Sequence, residues 1–304
     1  MIGAQYAYFI VHNLRCRFLG HRIPLLASFK LTYRCNLRCQ GCPFWRQPHD
    51  NELDLAGVID TLDRLHDMGI RLVIFEGGEP MLWRDGAGHT VHDVVCAAQK
   101  RFFCVGMTTN GVLPIENETD ITWVSVDGLR ETHNAHRGPT FDKVMANIEA
   151  SPHPKLYVNV TINRLNWQDI PDLIRLLATR PTVKGVTVQF YYPYENTEDL
   201  WLPRPQRRRV LDELIALKRQ GYPIACSAPS LEALKDNTWR CHPWLIASAE
   251  PDGRITHGCY LERRTADVAC DKCGFAAHAE ISLAYDANLH SIDAGRRIFG
   301  FRLC

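Results

Sequence analysis

Cys35, Cys39 and Cys42 are spaced C-x3-C-x2-C, close enough for three thiolates to converge on one centre. Three thiolates can hold three irons of a [4Fe–4S] cluster and leave the fourth iron without a protein ligand, open to a chelating small molecule. The same spacing suits zinc, which takes four protein ligands when structural. His49 is then the candidate fourth ligand, although Pro43 and Pro48 constrain the loop around it. A second set, Cys241, Cys259, Cys270 and Cys273, offers four thiolates, enough to close either a cluster or a zinc site completely. Cys304 is a stray candidate ligand. Cys16, Cys96, Cys104 and Cys226 lack such spacing and read as buried or inert.

These ligands need a scaffold. Candidate strands run over Ala27–Leu31, Leu72–Phe75, Phe103–Thr108, Trp123–Val126, Leu156–Thr161 and Val186–Phe190. Between them, Leu53–Met68, Val91–Arg101, Phe141–Ile148, Trp167–Leu177 and Gln206–Arg219 carry apolar residues at helical steps. Alternation of strand and helix predicts an α/β fold with a parallel sheet, and six strands predict a partial barrel rather than a closed one of eight. One crossover, Val112–Asp120, has room for a single helical turn at most. Polar turns close successive strands: Gly77-Gly78-Glu79-Pro80, Thr108-Thr109-Asn110-Gly111 and Ser125-Val126-Asp127-Gly128. Such carboxyl ends are where barrel active sites gather. From Tyr222 the pattern breaks into short pieces with Pro, Gly and the second cysteine set. The expected organisation is a basic N-terminal segment over 1–24, a barrel over 25–221 and a smaller metal-binding domain over 222–304.

The 304 residues are 46% hydrophobic and 23% charged, the mix of a globular protein, which excludes disordered and collagen-like classes. Lys and Arg number 35 against 34 Asp and Glu, so no global basic field argues for nucleic acid. The balance is uneven along the chain. No acidic residue precedes Asp50, and residues 1–49 carry seven basic ones. Within that segment Tyr6, Phe9, Ile10, Leu14 and Phe18 recur at helical spacing. A basic helix with an aromatic face suits a membrane surface or an anionic lipid-like substrate; the other reading is a first helix packed on the domain. Without a spanning segment or a convincing signal peptide, the expected location is cytoplasmic and reducing, with the inner membrane surface as a peripheral variant. Cysteines in such a compartment bind metal more often than they pair.

The Cys triad, the GGEP segment, the TTNG turn and the run from Ser125 through Glu131, His133 and Arg137-Gly138 to Phe141 resemble the radical S-adenosylmethionine (radical SAM) superfamily over residues 27–190. The resemblance implies a partial (β/α)6 TIM-like barrel whose cluster, on Cys35, Cys39 and Cys42, chelates SAM and reductively cleaves it to a 5′-deoxyadenosyl radical. By the same resemblance Gly77, Gly78 and Glu79 lie at the methionine amine. Thr109, Asn110, Ser125, Asp127 and Arg137 are candidates for the ribose and carboxylate end, followed by Asn159 and Thr161. An aromatic residue usually precedes the third cysteine to meet the adenine; here Gly41 stands there, and Phe44 or Trp45 is the substitute. His133 and His136 read as structural, with proton donation as the alternative. The second cysteine set resembles the twitch and SPASM extensions, which hold auxiliary [4Fe–4S] clusters, and implies one such cluster. The run Cys241-His242-Pro243-Trp244, Cys259-Tyr260-Leu261 and Cys270-x2-Cys273 with Gly274 and His278 is also similar to enzymes that adenosylate hopanoid lipids.

The resulting expectation is a radical SAM enzyme acting on an unactivated C–H or C=C bond of a lipid or isoprenoid. The alternative is oxidation, epimerisation or crosslinking of a ribosomal peptide or sugar, and a non-catalytic iron–sulfur or zinc protein ranks last. The cofactors are the SAM-binding cluster, SAM and one auxiliary cluster. The partners are a small-molecule, lipid or peptide substrate, an electron donor such as flavodoxin or ferredoxin, and a membrane surface contacted through residues 1–20.

Overall fold

The computed structural model describes residues 2–194, 197–262 and 267–300. Six strands follow one another in space as in sequence: β1 (Leu26–Thr32), β2 (Leu72–Gly77), β3 (Cys104–Thr109), β4 (Ile121–Ser125), β5 (Leu156–Ile162) and β6 (Val183–Phe190). All pair in parallel, and their register brings the carboxyl ends to one rim, with Thr32 beside Gly77, Ser125 beside Asn159 and Thr161 beside Gln189. These are the six strands read from the sequence, with ends moved by up to three residues: β3 starts one residue later than expected, and β4 starts two earlier and stops before Val126. The sheet stays open. It is lengthened beyond β1 by β7 (Ile246–Ala249), parallel to β1, and β8 (Ile255–His257), antiparallel to β7.

Strand alternation divides the side chains into two sets. Ala27, Phe29 and Leu31 of β1, with Val73, Phe75, Val105 and Met107, form the outer face. They bury against α2 (Leu55–Asp67) and α3 (Val91–Gln99) through Val58, Leu62, Leu65, Val94 and Val95. Each such side chain, fully buried, contributes about 1.5–3 kcal/mol. Asp54 caps α2 by accepting from Gly57 N at 2.8 Å. On the other half, α5 (Phe141–Ala150), α6 (Ile170–Ala178), α7 (Arg204–Arg219) and α8 (Ala228–Asp236) pack on the outer residues of β4–β6. The thin crossover between β3 and β4 contains no helix; Asn147 of α5 holds it, its Nδ2 lying 2.8, 3.0 and 3.1 Å from the carbonyls of Gly111, Val112 and Leu113.

The inner set makes the barrel interior. At the amino ends of the strands, Leu26, Leu72, Trp123, Tyr157 and Ile246 form a floor. Phe9 of α1 (Ile2–Phe18), Ile281 of α9 (Ala276–Tyr285) and Ile298 of α10 (Leu289–Phe299) pack onto it. The C-terminal segment therefore supplies both an edge of the sheet and part of the floor. Helix α1 is fixed by His12 Nε2 at 2.8 Å from Ile23 O and by the Tyr8 hydroxyl donating to Gly69 O. The expected apolar face is split: Phe9 packs toward the floor, whereas Ile10, Leu14 and Phe18 are exposed. Among the described residues, no helix is long and apolar enough to cross a membrane.

Candidate active site

The loop after β1 carries the first cysteine set to the rim. Its backbone is tied down at several points: Gln40 N donates to His136 O at 2.9 Å, Trp45 Nε1 to Cys39 O at 3.2 Å, and the Tyr191 hydroxyl to Gly41 O at 2.9 Å. Gly41 has φ +76°, and a Cβ there would sit 2.5 Å from Leu200 and 2.7 Å from the Tyr191 oxygen, so the turn requires glycine. Cys35 Sγ accepts from Leu37 N at 3.4 Å and faces Asn110 Nδ2 at 3.8 Å. Burial pushes the Cys35 thiol up, and that of Cys39 up to about 11, with the neighbouring cysteines adding to it and Arg137 opposing it. A thiol held this high ionises when a metal takes its proton's place.

A single zinc ion holds its thiolates about 3.8 Å apart, given Zn–S bonds of ~2.3 Å. Among the described residues, the one trio of ligand atoms within 4.8 Å of one another is His92, Cys96 and Glu118, outside the barrel on α3 and its neighbouring loop. Neither cysteine set is drawn that tight. An all-thiolate donor set is the one that iron–sulfur clusters take.

The GGEP segment runs against the start of the cysteine loop. Gly78 N donates to Thr32 O at 2.7 Å and Glu79 N to Arg34 O at 2.8 Å. A Cβ at Gly77 would fall 2.3 Å from Thr32 O and one at Gly78 2.2 Å from Arg34 O, so only glycine permits the approach. Glu79 is fully buried behind this wall. Its carboxylate accepts from Met81 N at 3.2 Å, Thr109 Oγ1 at 2.8 Å and Asn110 N at 2.7 Å, so it fastens the TTNG turn to the GGEP turn. Burial pushes its pKa up to about 6 against those donors.

The end of β4 carries a buried ion pair. Asp127 accepts from Arg137 Nε at 2.5 Å and Thr161 N at 2.8 Å, and Asn166 Nδ2 donates to its carbonyl at 2.7 Å. Burial alone would raise Asp127, but Arg137 and His136 outweigh it and keep the carboxyl below its ordinary value. Burial likewise disfavours the Arg137 cation, and Asp127 with Cys39 reverses the balance. Arg137 belongs to α4 (Arg130–Arg137), whose His133 and His136 are buried. His133 is enclosed between Asp127 N and Thr140 Oγ1, while His136 faces the barrel cavity.

That cavity, about 860 Å³, joins these elements. The triad cysteines, Gly77 and Gly78, Thr109 and Asn110, Ser125, Asp127 and Arg137, and Asn159 and Thr161 all line it; Glu79 does not. Phe44 lines it too, stacked on Tyr33 at 6.1 Å, whereas Trp45 sits between Arg38 and Arg46 away from it. The sequence reading missed Lys30 and Glu76. Lys30 is fully buried, 2.9 Å from Glu76 Oε1 and 2.8 Å from Ser28 Oγ, with the Tyr260 ring 4.6 Å from its ammonium. The pair spans 46 positions, and nothing in the sequence around either residue announces it.

In the second set Cys259 follows β8 and Cys270–Cys273 precede α9, joined to the end of β6 where Phe190 N donates to Gly274 O at 2.9 Å. Two residues outside the cysteine motif hold its turn. Arg207 Nη1 donates to Cys273 O at 2.8 Å, and Asn237 Nδ2 to Cys270 O and Cys273 O at 2.8 Å each. Burial raises the thiols of Cys241, Cys259 and Cys273, and their mutual repulsion adds to it. Cys304 lies outside the described residues.

Comparison with known proteins agrees with this geometry. Residues 29–177 match the family model described as the radical SAM superfamily, and residues 186–268 match a domain of unknown function, DUF3463. The Fe-coproporphyrin III synthase of Methanosarcina barkeri is 27% identical over 244 residues, covering 70% of this chain and 59% of that protein. The mycofactocin maturase MftC of Mycolicibacterium smegmatis is 26% identical over 222 residues, covering 65% and 53%. The chain thus spans little more than half the length of these relatives. Among solved structures, Streptococcus suis SuiB bound to S-adenosylmethionine superposes with a TM-score of 0.64 at 14% identity, covering 97% of this chain and 71% of that one. The chain anSMEcpe with bound AdoMet and a peptide gives 0.60 at 17% identity, covering 78% and 75%. With the cysteine triad and the glycine-walled turn on the rim of an open parallel barrel, residues 29–177 form a domain of the radical SAM superfamily, whose members use a [4Fe–4S] cluster and SAM.

Proposed function

We propose that this protein cleaves SAM reductively at a cluster on Cys35, Cys39 and Cys42 and uses the radical on an unactivated C–H or C=C bond of an apolar, lipid- or isoprenoid-like substrate held inside the barrel. The observation that carries this reading is the continuous cavity that runs from the triad to the floor of Leu26, Trp123, Ile246, Ile281 and Phe299. Its volume lies within the ~300–1,000 Å³ of ligand pockets. When bound, the cluster supplies the electron that splits the S–C5′ bond of SAM.

The chain's share is positioning and exclusion of water. The bare backbone at Gly77 and Gly78 lets a ligand's polar end approach the β2 rim. Glu79 is a positioning residue, aligning Thr109 and Asn110. Arg137, fixed by Asp127, presents a cation to the rim where a carboxylate or ribose sits, with Ser125, Asn159 and Thr161 beside it. Phe44 offers a ring face for a nucleobase. Cys241, Cys259, Cys270 and Cys273 would hold an auxiliary cluster beside β6, serving electron flow or substrate. Peptide modification is the second reading, favoured by the likeness to SuiB, which is also solved bound to its precursor peptide.

Anaerobic reconstitution with dithionite and SAM tests both readings. Formation of 5′-deoxyadenosine, stimulated by extracted lipids and not by peptides or sugars, is expected. No 5′-deoxyadenosine under several reductants refutes the enzyme, and stimulation by peptides alone refutes the apolar substrate.

A further inference from the structure

The cavity has an outlet far from the cysteines. Tyr6, Ile10 and Leu14 of α1 and Ile292 and Arg296 of α10 both line it and stand exposed to solvent. The cavity therefore emerges at the barrel floor, between these two helices.

The surface around that outlet is unlike the rest of the molecule. Nine large hydrophobic side chains are exposed among the described residues, and eight lie on α1, α10 or the residue just after α1. Ile10, Leu14 and Phe18 follow at four-residue steps and make one stripe; Phe18 is 74% and Leu289 77% exposed. Scattered exposed apolar residues are ordinary, but a contiguous patch marks an interaction surface. Its rim is basic. Arg15 and Arg17 stand in the last turn of α1, Arg22 in the loop after it, and Arg296 and Arg297 in the last turn of α10. The acidic residues beside them are Asp286, 3.8 Å from Arg17, and Asp293, 2.8 and 2.9 Å from Arg296 and Arg297, so cations are in excess.

We infer that this face docks on an anionic lipid leaflet and that the outlet between α1 and α10 is the entrance through which an apolar substrate passes from the leaflet into the barrel. The inference rests on the apolar-substrate reading above and adds its route and partner. A second copy of the chain would bring two arginine rims together, whereas an anionic leaflet complements both the stripe and the rim. SAM would enter at the opposite, cysteine-bearing rim.

The test uses anaerobically reconstituted holoenzyme and vesicles of equal parts phosphatidylglycerol and phosphatidylcholine. The protein is expected to float with these vesicles and to leave vesicles of phosphatidylcholine alone. Leu14→Asp with Ile292→Asp should weaken flotation more than about tenfold. Arg15→Gln and Arg17→Gln, which leave the apolar surface intact, should each weaken it about fivefold. Diphenylhexatriene, an apolar fluorophore, reports entry. Gly295 lines the outlet, and a Cβ there meets open space, so Gly295→Trp should block uptake of the dye and leave flotation unchanged. Flotation indifferent to the aspartates and glutamines, or a dimer that buries α1 and α10, overturns docking; dye uptake unchanged in Gly295→Trp overturns the entrance. These readouts need no SAM cleavage. An enzyme stimulated by lipid extract that ignores vesicles overturns this inference alone, while stimulation by peptides alone overturns the substrate reading and this inference with it.

Discussion

Replacing Glu79 with glutamine separates two energies that nearly cancel at neutral pH. The carboxylate is fully buried and its pKa is pushed up to about 6 from 4.5. That shift of about 1.5 units means that keeping the group charged at pH 7 costs the fold about 2 kcal/mol. The stability this carboxyl contributes is therefore complete well below pH 4.5 and lost as pH rises through 6. Glutamine removes the burden of charge but meets Asn110 N, 2.7 Å from Oε2, with an N–H in place of an acceptor, while Oε1 stays with Met81 N and Thr109. A buried amide left without a partner costs about 1–3 kcal/mol. The variant should thus match the wild type within about 1 kcal/mol at pH 7, by urea unfolding of cluster-free protein. At pH 4.5, where the unfolded carboxyl is half protonated, the wild type should gain about 1.6 kcal/mol relative to the variant. Titrating histidines affect both proteins and leave the difference. SAM binding should weaken in the variant, because the TTNG turn loses its anchor. Equal pH dependence of the two proteins would mean that Glu79 carries no burial penalty.

Asp127→Asn leaves Arg137 buried without its carboxylate and should cost about 3–5 kcal/mol in the same unfolding assay. Pairing it with Arg137→Met should recover part of that loss, and a smaller cost for the single variant than for the pair would contradict a buried ion pair. Burial pulls His278 down to about 4. A base lowered in this way stabilises fully above pH 6.5 and loses that stability as pH falls toward 4, so His278→Gln should flatten the acid limb by about 3 kcal/mol. Cys273→Ala should lose the iron of one cluster yet keep part of the substrate-uncoupled SAM cleavage, whereas Cys39→Ala should abolish it. Equal loss in both would contradict separate roles for the two sets.

Much of this was legible because the signals are local. Six strands, five helices and the polar turns follow from alternation and spacing, and the cysteine motif from its intervals alone. What escaped depends on partners distant in sequence. The strand β7 is Ile-Ala-Ser-Ala, too short and small to read as a strand, and it forms because β1 offers an open edge. The helix α9 is alanine-rich with no apolar period, since it is wedged between β6, α8 and α10. The helix α4 reads as wholly polar because its inner face is two buried histidines rather than aliphatic residues. Within the site, the glycine, asparagine and arginine positions came from motif and order, but Glu79 proved to lie behind the wall it was expected to line. The Lys30–Glu76 pair joins β1 to β2 across 46 positions, and Asn237 holds a turn more than thirty residues away. Contacts of that range leave no local mark.

The proposed chemistry requires that Cys35, Cys39 and Cys42 carry a cluster with one iron left for SAM. Electron–nuclear double resonance on the dithionite-reduced holoenzyme, with SAM isotopically labelled at its amine and carboxylate, tests it most directly. Hyperfine coupling of both labelled groups to the cluster is expected, and its loss in Cys39→Ala. Zinc without acid-labile sulfide at that site, or a cluster whose spectrum ignores SAM, would contradict it.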